Sequence, residues 1–198
     1  MTEKTAQKEP GKKPAPSKKP KPQQEVVVQI PLSELHPFPD HPFQVREDAS
    51  MQETAESVKE YGVLVPALAR PREDGGYELI AGHRRKHACE LAGLTTMPVI
   101  VRDIDRDAAT IIMVDSNLQR ENILPSERAK AYKMKMEAIK RQGARTDLTS
   151  PKISAKFRSD DEVGQDAGVS GDTIRNYIAL TQLVPELQQM VDEKKIAL

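Results

Sequence analysis

One glycine, Gly82, separates a strand-like run at residues 76–81 from a helical pattern that ends near Gly93. Glycine at such a junction lets the backbone approach a ligand closely, and the free N–H groups at the start of a helix attract an anion. Arg84 and Arg85 lie in the first turn of this helix, where positive charge is unfavourable unless an anion is bound. Because guanidinium groups match phosphate oxygens in pairs, the junction predicts a nucleotide phosphate site. A solvated pair of arginines is the alternative interpretation.

Strand and helix patterns alternate along residues 25–123 and predict a small α+β domain with a mixed sheet. Ser50 and Glu53 form a capping-box pattern at the start of the first helix. The proline-rich segment 35–46 is predicted to be an irregular loop that lines a pocket, and its histidines lack the spacing of a metal site. The predicted strands are 25–31, 63–70, 76–81 and 95–101, and the predicted helices are 50–61, 82–93 and 106–115.

The first 24 residues have a composition of their own. They contain seven Lys, two Glu and five Pro, so this basic tail has little apolar surface to bury and is predicted to be disordered. The net charge of the 198 residues is zero, which makes the remainder of the chain acidic overall. The chain has a single cysteine, Cys89, and no apolar run of about 20 residues. We therefore expect a cytoplasmic protein without a disulfide or a membrane span.

Residues 124–198 are predicted to form an all-α DNA-binding domain. A helix follows Pro125 and ends near Gly143, and two shorter helices at 160–167 and 170–183 are joined by a tight turn. Exposed residues at the start of the second short helix would face the major groove, and the basic excess over residues 124–158 would contact phosphates. Acidic residues in the same segment favour the alternative of an ordinary helical hairpin. The predicted DNA-binding residues are Lys156, Ser170, Thr173, Arg175 and Asn176.

Three motifs resemble those of ParB-type chromosome and plasmid partition proteins. They are His41-Pro-Phe-Gln-Val-Arg46, Gly82-His-Arg-Arg-Lys-His-Ala88 and Ser116-Asn-Leu-Gln-Arg-Glu-Asn122, followed by the helix-turn-helix pattern. The resemblance implies a ParB/sulfiredoxin-like N-terminal fold that binds CTP and closes as a clamp on double-stranded DNA at a centromere-like site. It also implies a homodimer that acts with a ParA-type ATPase and is associated with the bacterial nucleoid in the cytoplasm.

The same resemblance implies a role for each motif. The motif at Gly82 would hold the triphosphate, and the motif at Gln44 would shape the nucleotide pocket. Asn117 would coordinate Mg²⁺ or order the phosphates, while Arg120 and Glu121 would complete the second phosphate-side motif. The full set of implied nucleotide-binding residues is Gln44, Arg46, Gly82, His83, Arg84, Arg85, Ser116, Asn117, Arg120 and Glu121.

Two residues depart from the pattern of the family. The family usually has an acidic residue at the position of His83 and a glutamate, tied to hydrolysis and the metal, at the position of Ser116. A serine hydroxyl cannot act as a carboxylate base or neutralise Mg²⁺, and the neighbouring Asp115 is rotated by about 100° along a helix. We therefore expect CTP binding with slow or absent hydrolysis. The family's C-terminal dimerisation domain is expected to be missing, which suggests a truncated chain or dimerisation through other surfaces.

Other classes of protein share parts of this pattern. A sulfiredoxin would need a cysteine in the phosphate loop, whereas Cys89 lies two turns into the helix. A nuclease would need clustered carboxylates to hold metal ions, and the sequence does not assemble them. The stronger alternative is a transcription regulator or plasmid-stability factor that keeps the fold and binds DNA without a nucleotide switch.

Overall fold

A computed structural model gives the fold of residues 25–120, 123–147 and 159–197. The predictions for the basic tail, for Glu121 and for Lys156 lie outside these described residues. The first half alternates strands and helices in the order β1 (Val27–Pro31), β2 (Leu35–Pro37), α1 (Ala49–Tyr61), β3 (Ala67–Pro71), β4 (Tyr77–Ala81), α2 (His83–Leu91), β5 (Thr96–Val101) and α3 (Arg106–Leu118). The second half is helical, with α4 (Pro125–Asp147), α5 (Ser159–Ala167), α6 (Gly171–Leu180) and α7 (Pro185–Asp192).

The strands form one mixed sheet in the order β1-β5-β3-β4-β2. The pairs β1–β5 and β3–β4 are antiparallel, whereas β3–β5 and β2–β4 are parallel. Successive side chains of a strand point to opposite faces, so Leu79 joins the hydrophobic cluster of α1 and α2 while Ile80 joins that of α3 and α4. The sheet is therefore covered by helices on both faces, and the predicted α+β fold with a mixed sheet is confirmed.

Helix α4 contributes to three hydrophobic clusters, one of which joins its Ala129 to Leu180 of α6 and Val191 of α7. Ala131 and Met134 pack into the cluster that covers the sheet. Tyr132, on another side of the helix, packs with Val163 of α5 and Ile174 of α6. Because α4 completes the core of the first half, the domain boundary predicted at residue 123 stays a prediction. Among the described residues, no helix combines the length and apolar character needed to cross a membrane.

Lys135 is buried where α3, α4 and α5 meet, with 1% of its side chain exposed. Its Nζ donates hydrogen bonds to Asp115 Oδ1 at 2.7 Å and to Asp166 Oδ2 at 2.9 Å. Burial lowers the pKa of Lys135, but the hydrogen bonds to the two carboxylates outweigh it and raise the pKa above its ordinary value. The ammonium group therefore stays charged and joins three helices through one side chain.

The cap of α1 differs from the prediction. Asp48 is the cap, because its backbone is extended and its carboxylate accepts a hydrogen bond from the N–H of Met51 at 2.9 Å. The predicted capping box of Ser50 and Glu53 is therefore wrong. Ser50 lies inside the helix, and its hydroxyl accepts a hydrogen bond from Arg84 at 3.2 Å.

Two predicted boundaries in the sheet also change. Part of the proline-rich segment forms β2, which is possible because proline is tolerated at the edge of a sheet. The strand predicted from residue 63 begins only at Ala67, after Pro66.

Three helices end at other residues than predicted. Helix α4 continues to Asp147 instead of ending near Gly143. Helix α3 continues to Leu118 instead of ending at Asp115, so Ser116 and Asn117 lie in its last turn. Helix α6 ends at Leu180 rather than at residue 183.

Candidate functional site

Two adjoining cavities of about 230 and 310 Å³ lie where the loop before α1, the start of α2 and the end of α3 meet. They share Phe43, Gln44, Arg84 and Arg120. The structure brings most of the predicted nucleotide-binding residues into the wall of the first cavity, and it places Arg46 in the wall of the second. The predicted residues in the first cavity are Gln44, Gly82, His83, Arg84, Arg85, Ser116, Asn117 and Arg120.

Gly82 occupies a position that only glycine can fill without strain. Its φ is +113°, and a Cβ atom added there would lie 2.8 Å from the Cβ of Ala67 on β3. The residue precedes α2, and no side chain of the described residues caps the helix at this point. The N–H groups of the first turn of α2 are therefore available to an anion in the cavity.

Arg84 and Arg120 present guanidinium groups to both cavities, and their partners differ. Arg84 Nη2 lies 3.2 Å from Ser50 Oγ and 3.6 Å from Asp48 Oδ1, so it is anchored to the start of α1. Arg120 is exposed and makes no ion pair with any residue that the structure describes. Arg120 is therefore a cation whose charge is open to a ligand.

Arg85 is engaged by the backbone. Its Nη1 donates hydrogen bonds to the carbonyl oxygens of Val65 and Pro66, the second at 2.7 Å. Burial lowers the pKa of the guanidinium, which nevertheless remains charged near neutral pH. The other terminal nitrogen, Nη2, lies close to Gly82. Arg85 thus holds the segment before β3 with one nitrogen and faces Gly82 with the other.

Glu127 is a site residue that sequence reasoning missed. Its carboxylate accepts hydrogen bonds from the backbone N–H groups of Gln44 at 3.1 Å and Leu124 at 3.2 Å. It also lies 3.9 Å from Arg46 Nη2. The hydrogen bond to Leu124 was predictable from the sequence, because a glutamate in the first turn after Pro125 is a common helix-capping arrangement. Glu127 therefore fastens the loop before α1 to the start of α4.

Ser116 and Asn117 both bond to their own helix. Ser116 Oγ donates to the carbonyl oxygen of Met113 at 3.0 Å, and Asn117 Nδ2 donates to the same oxygen at 2.8 Å. Since the amide nitrogen of Asn117 is used, Oδ1 is the atom that it can offer to a ligand. Asp115 points elsewhere, because its carboxylate bonds to Lys135.

His41 and His83 are in contact in the wall of the first cavity, with ring centroids 4.0 Å apart. Burial, together with charge at His41 and Lys86, lowers the pKa of His83 to about 3. Burial also lowers the pKa of His41, whose Nδ1 lies 2.8 Å from the carbonyl oxygen of Phe43. Both rings are therefore neutral at pH 7. Each Nε2 is buried and has no hydrogen-bond partner among the described residues.

Acidic pH is expected to destabilise the fold through His83. An unfolded chain binds a proton at this ring below pH 6.5, whereas the folded chain does so only near pH 3, so folding stability falls as the pH drops between these values. Between pH 7 and pH 5 the loss is expected to reach about 2 kcal/mol. Urea denaturation of the wild type and His83→Gln at both pH values measures it. Equal pH dependence in the two proteins would contradict the assignment.

The donor groups that described residues give to the first cavity do not suit Mg²⁺. Magnesium in proteins is usually bound through one or two carboxylates together with substrate phosphates. The described residues that line this cavity include no Asp or Glu, and Asn117 offers a neutral amide oxygen. No group of three or more metal-ligating side chains occurs among the residues that the structure describes. The Mg²⁺ site at Asn117 therefore stays a prediction, and no described residue of this cavity adds a carboxylate to it.

The helices α5 and α6 carry the predicted DNA-binding residues. Ser170 caps α6, since its hydroxyl accepts a hydrogen bond from the N–H of Thr173 at 3.2 Å. Arg175 was expected to be free to read a base, but its guanidinium is paired with Asp160 and Asp172. A base contact by Arg175 would have to replace these pairs. Asn176 is exposed. The contacts of these residues with DNA stay predictions.

Comparison with known proteins places the chain in a family. The model of the ParB N-terminal domain matches residues 16–118. The chromosome-partitioning protein Spo0J of Thermus thermophilus is 36% identical over 86% of this chain and 56% of its own length. A nucleoid occlusion protein of Halalkalibacterium halodurans is 30% identical over 88% of this chain and 55% of its own length. The chain thus spans about half the length of the curated relatives that it matches.

The fold also matches solved structures. The C-terminally truncated chromosome-partitioning protein ParB from Caulobacter crescentus, complexed to the centromeric parS site, is 27% identical to this chain. The match covers 86% of this chain and 80% of that one, with a TM-score of 0.56. Sequence and structure therefore agree, and the family model spans more than half of the residues. The chain belongs to the ParB N-terminal domain family.

Proposed function

We propose that the chain is part of a partition protein that binds CTP in the two cavities and a centromere-like DNA site through α5 and α6. The observation that carries the proposal is the first cavity, where Arg84 and Arg120 meet the uncapped start of α2 behind Gly82. Such an arrangement is suited to phosphate groups. Relatives named as chromosome-partitioning proteins support the biological role.

Each motif contributes a different part of the nucleotide site. The start of α2 and Arg84 bind phosphate oxygens, while Arg120 supplies a charge that is unpaired among the described residues. Gln44 lines both cavities, and Glu127 holds its backbone in place. With Ser116 in place of a carboxylate, hydrolysis of CTP is slow or absent. Closure of the nucleotide-bound protein on DNA as a clamp, pairing into a homodimer and stimulation of a ParA-type ATPase complete the proposal.

Arg84→Ala tests the nucleotide site. The variant loses charge-assisted hydrogen bonds to phosphate, so we expect CTP affinity to fall by about 10- to 100-fold. Calorimetric titration with CTP, and with ATP, GTP and UTP for specificity, measures the effect. Arg72→Ala is the matched control, because Arg72 lies outside both cavities and pairs with Asp74 at 3.7 Å. An unchanged affinity of Arg84→Ala would place the nucleotide elsewhere.

Asn176→Ala tests the DNA surface. An asparagine in the major groove contacts adenine through two hydrogen bonds, so its loss is expected to weaken specific DNA binding by about 1–3 kcal/mol. Fluorescence anisotropy with a centromere-like duplex and a scrambled duplex measures the loss of specificity. Gln182→Ala, after the end of α6, is the control. At the largest expected effect, Asn176→Ala binds the two duplexes with equal affinity. Wild-type specificity in this variant would contradict the proposal.

The second candidate is a DNA-binding regulator of the same fold without a nucleotide switch. The neutral His83 and the hydroxyl of Ser116 favour it, since both stand where the family usually has an acidic residue. The engagement of Arg85 with backbone carbonyls favours it as well. The CTP titration separates the two candidates, because the regulator would bind centromere-like DNA and no nucleotide.

A further inference from the structure

The described wall of the first cavity carries positive charge without a matching carboxylate. Arg84, Arg85 and Arg120 line the cavity. Its remaining polar side chains are neutral, since His83 has a pKa of about 3 and the pKa of His41 is also lowered by burial. In this cavity an anionic ligand would therefore meet only positive or neutral groups among the described residues, whereas Asp48 and Glu127 line the second cavity. The other neutral polar residues of the wall are Gln44, Ser116 and Asn117.

The carboxylates on the surrounding elements are already engaged. Asp115, which precedes Ser116, hydrogen-bonds to the buried Lys135 at 2.7 Å. Asp48 caps α1. Glu127 accepts hydrogen bonds from two backbone N–H groups, at 3.1 and 3.2 Å. None of these three carboxylates lines the first cavity. Among the described residues, the charge of the first cavity therefore suits an anion better than a divalent cation.

We infer that this cavity binds a nucleoside triphosphate as the metal-free anion, with guanidinium groups in the place of a divalent cation. The inference rests on the proposed function, because it takes the ligand to be a nucleotide. Arg84 and Arg120 neutralise phosphate oxygens directly, and Arg85 adds charge beside Gly82. Guanidinium groups suit this task since they present several donors in a fixed fork.

A consequence follows for the fate of the nucleotide. Metal ions bridge phosphate oxygens and neutralise the charge that develops when a phosphoryl group is transferred. A triphosphate bound as the free anion lacks that neutralisation, and Ser116 supplies no carboxylate base. The nucleotide therefore acts as a ligand that is bound and released intact.

Calorimetric titration of the whole chain with CTP, in EDTA and in excess Mg²⁺, tests the inference. We expect CTP to bind in EDTA at least as tightly as in excess Mg²⁺, because Mg²⁺ complexes the triphosphate and lowers the concentration of the free anion. Binding that is more than about threefold weaker in EDTA would overturn the inference while the proposed function stands. Absence of CTP binding in both buffers would remove the proposed function and the inference with it. Glu121 lies outside the described residues. If its carboxylate held a metal ion at the nucleotide, the wild type would bind CTP more weakly in EDTA, so the same titration tests this residue.

A pair of variants at residue 116 sharpens the test. Ser116→Glu restores a carboxylate, and Ser116→Gln adds the same bulk without charge. In EDTA we expect Ser116→Glu to bind CTP about tenfold more weakly than Ser116→Gln, and Mg²⁺ to remove the difference. Equal affinities of the two variants in EDTA would overturn the inference, because position 116 would then not face the phosphates.

Discussion

Gly82→Ala is expected to lower the free energy of unfolding by about 2–5 kcal/mol and to abolish measurable CTP binding. The positive φ of +113° is strained for any residue with a Cβ atom, and the new methyl group would lie 2.8 Å from the Cβ of Ala67. Ala67 is completely buried, so it has no room to move aside. Relief of the overlap requires α2 to shift away from β3, which moves Arg84 and the first turn of α2 from their positions in the cavity. Urea denaturation and calorimetric titration measure the two effects.

Gly75→Ala is the matched control for this substitution. Gly75 also has a positive φ, of +88°, but nothing lies within 4 Å of an added Cβ atom. We therefore expect only the conformational cost, about 1–2 kcal/mol, with unchanged affinity for CTP. If both variants lost the same stability, the close approach of Gly82 to Ala67 would not be the cause.

Lys135→Ala is the second change with a large expected effect. The side chain is 1% exposed, so its removal leaves a cavity between α3, α4 and α5 as well as two unpaired carboxylates. Loss of a buried side chain of similar length typically costs about 2–5 kcal/mol, and we expect a cost in this range. Lys135→Met keeps most of the volume. Because Asp115 and Asp166 are about half exposed and remain hydrated, we expect the methionine variant to lose about 1 kcal/mol.

Alkaline pH tests the charge of Lys135 separately. The folded pKa of this lysine is raised above its ordinary value of 10.5, so its electrostatic contribution is fully present below that pH. The contribution is lost as the pH rises through the folded pKa. Thermal denaturation between pH 9 and pH 11, with Lys135→Met as reference, is expected to show an additional loss in the wild type alone. A methionine variant as unstable as the alanine variant would show that the ion pairs, and not the packing, carry the effect.

Local sequence was sufficient to predict the centre of the site. A strand pattern, a glycine and a helix pattern follow one another at Gly82, and each is determined by residues within a few positions. The meeting of the three motifs in one cavity was expected from the family resemblance, not from spacing. Helix ends were less well predicted. Asp48 and Ser50 are both good caps, and the hydrogen bond from Arg84 to Ser50 was not visible in the sequence.

What the sequence did not predict depends on residues far apart in the chain. Glu127 reaches the backbone of Gln44 across 83 positions, and Arg85 reaches Val65 across 20. Lys135 appeared only as part of a basic excess, yet it is one of the most buried side chains. Such contacts follow from the way in which helices pack, which periodicity alone does not specify. For the same reason, Arg175 was expected to be free although two carboxylates pair with it.

Helix α4 packs against both halves of the chain, so the matched family domain and the folding unit end at different residues. The family model ends at residue 118, but the face of the sheet that contains Ile80 is covered by Ala131 and Met134 of α4 together with Met113 of α3. The first half therefore completes its hydrophobic core with residues from beyond the family boundary. Cooperativity should extend through α4 into α5 and α6, so the two halves melt together. A displacement of α4 against the sheet is then transmitted to the hydrophobic cluster that α4 forms with α5 and α6, because close-packed interiors transmit strain.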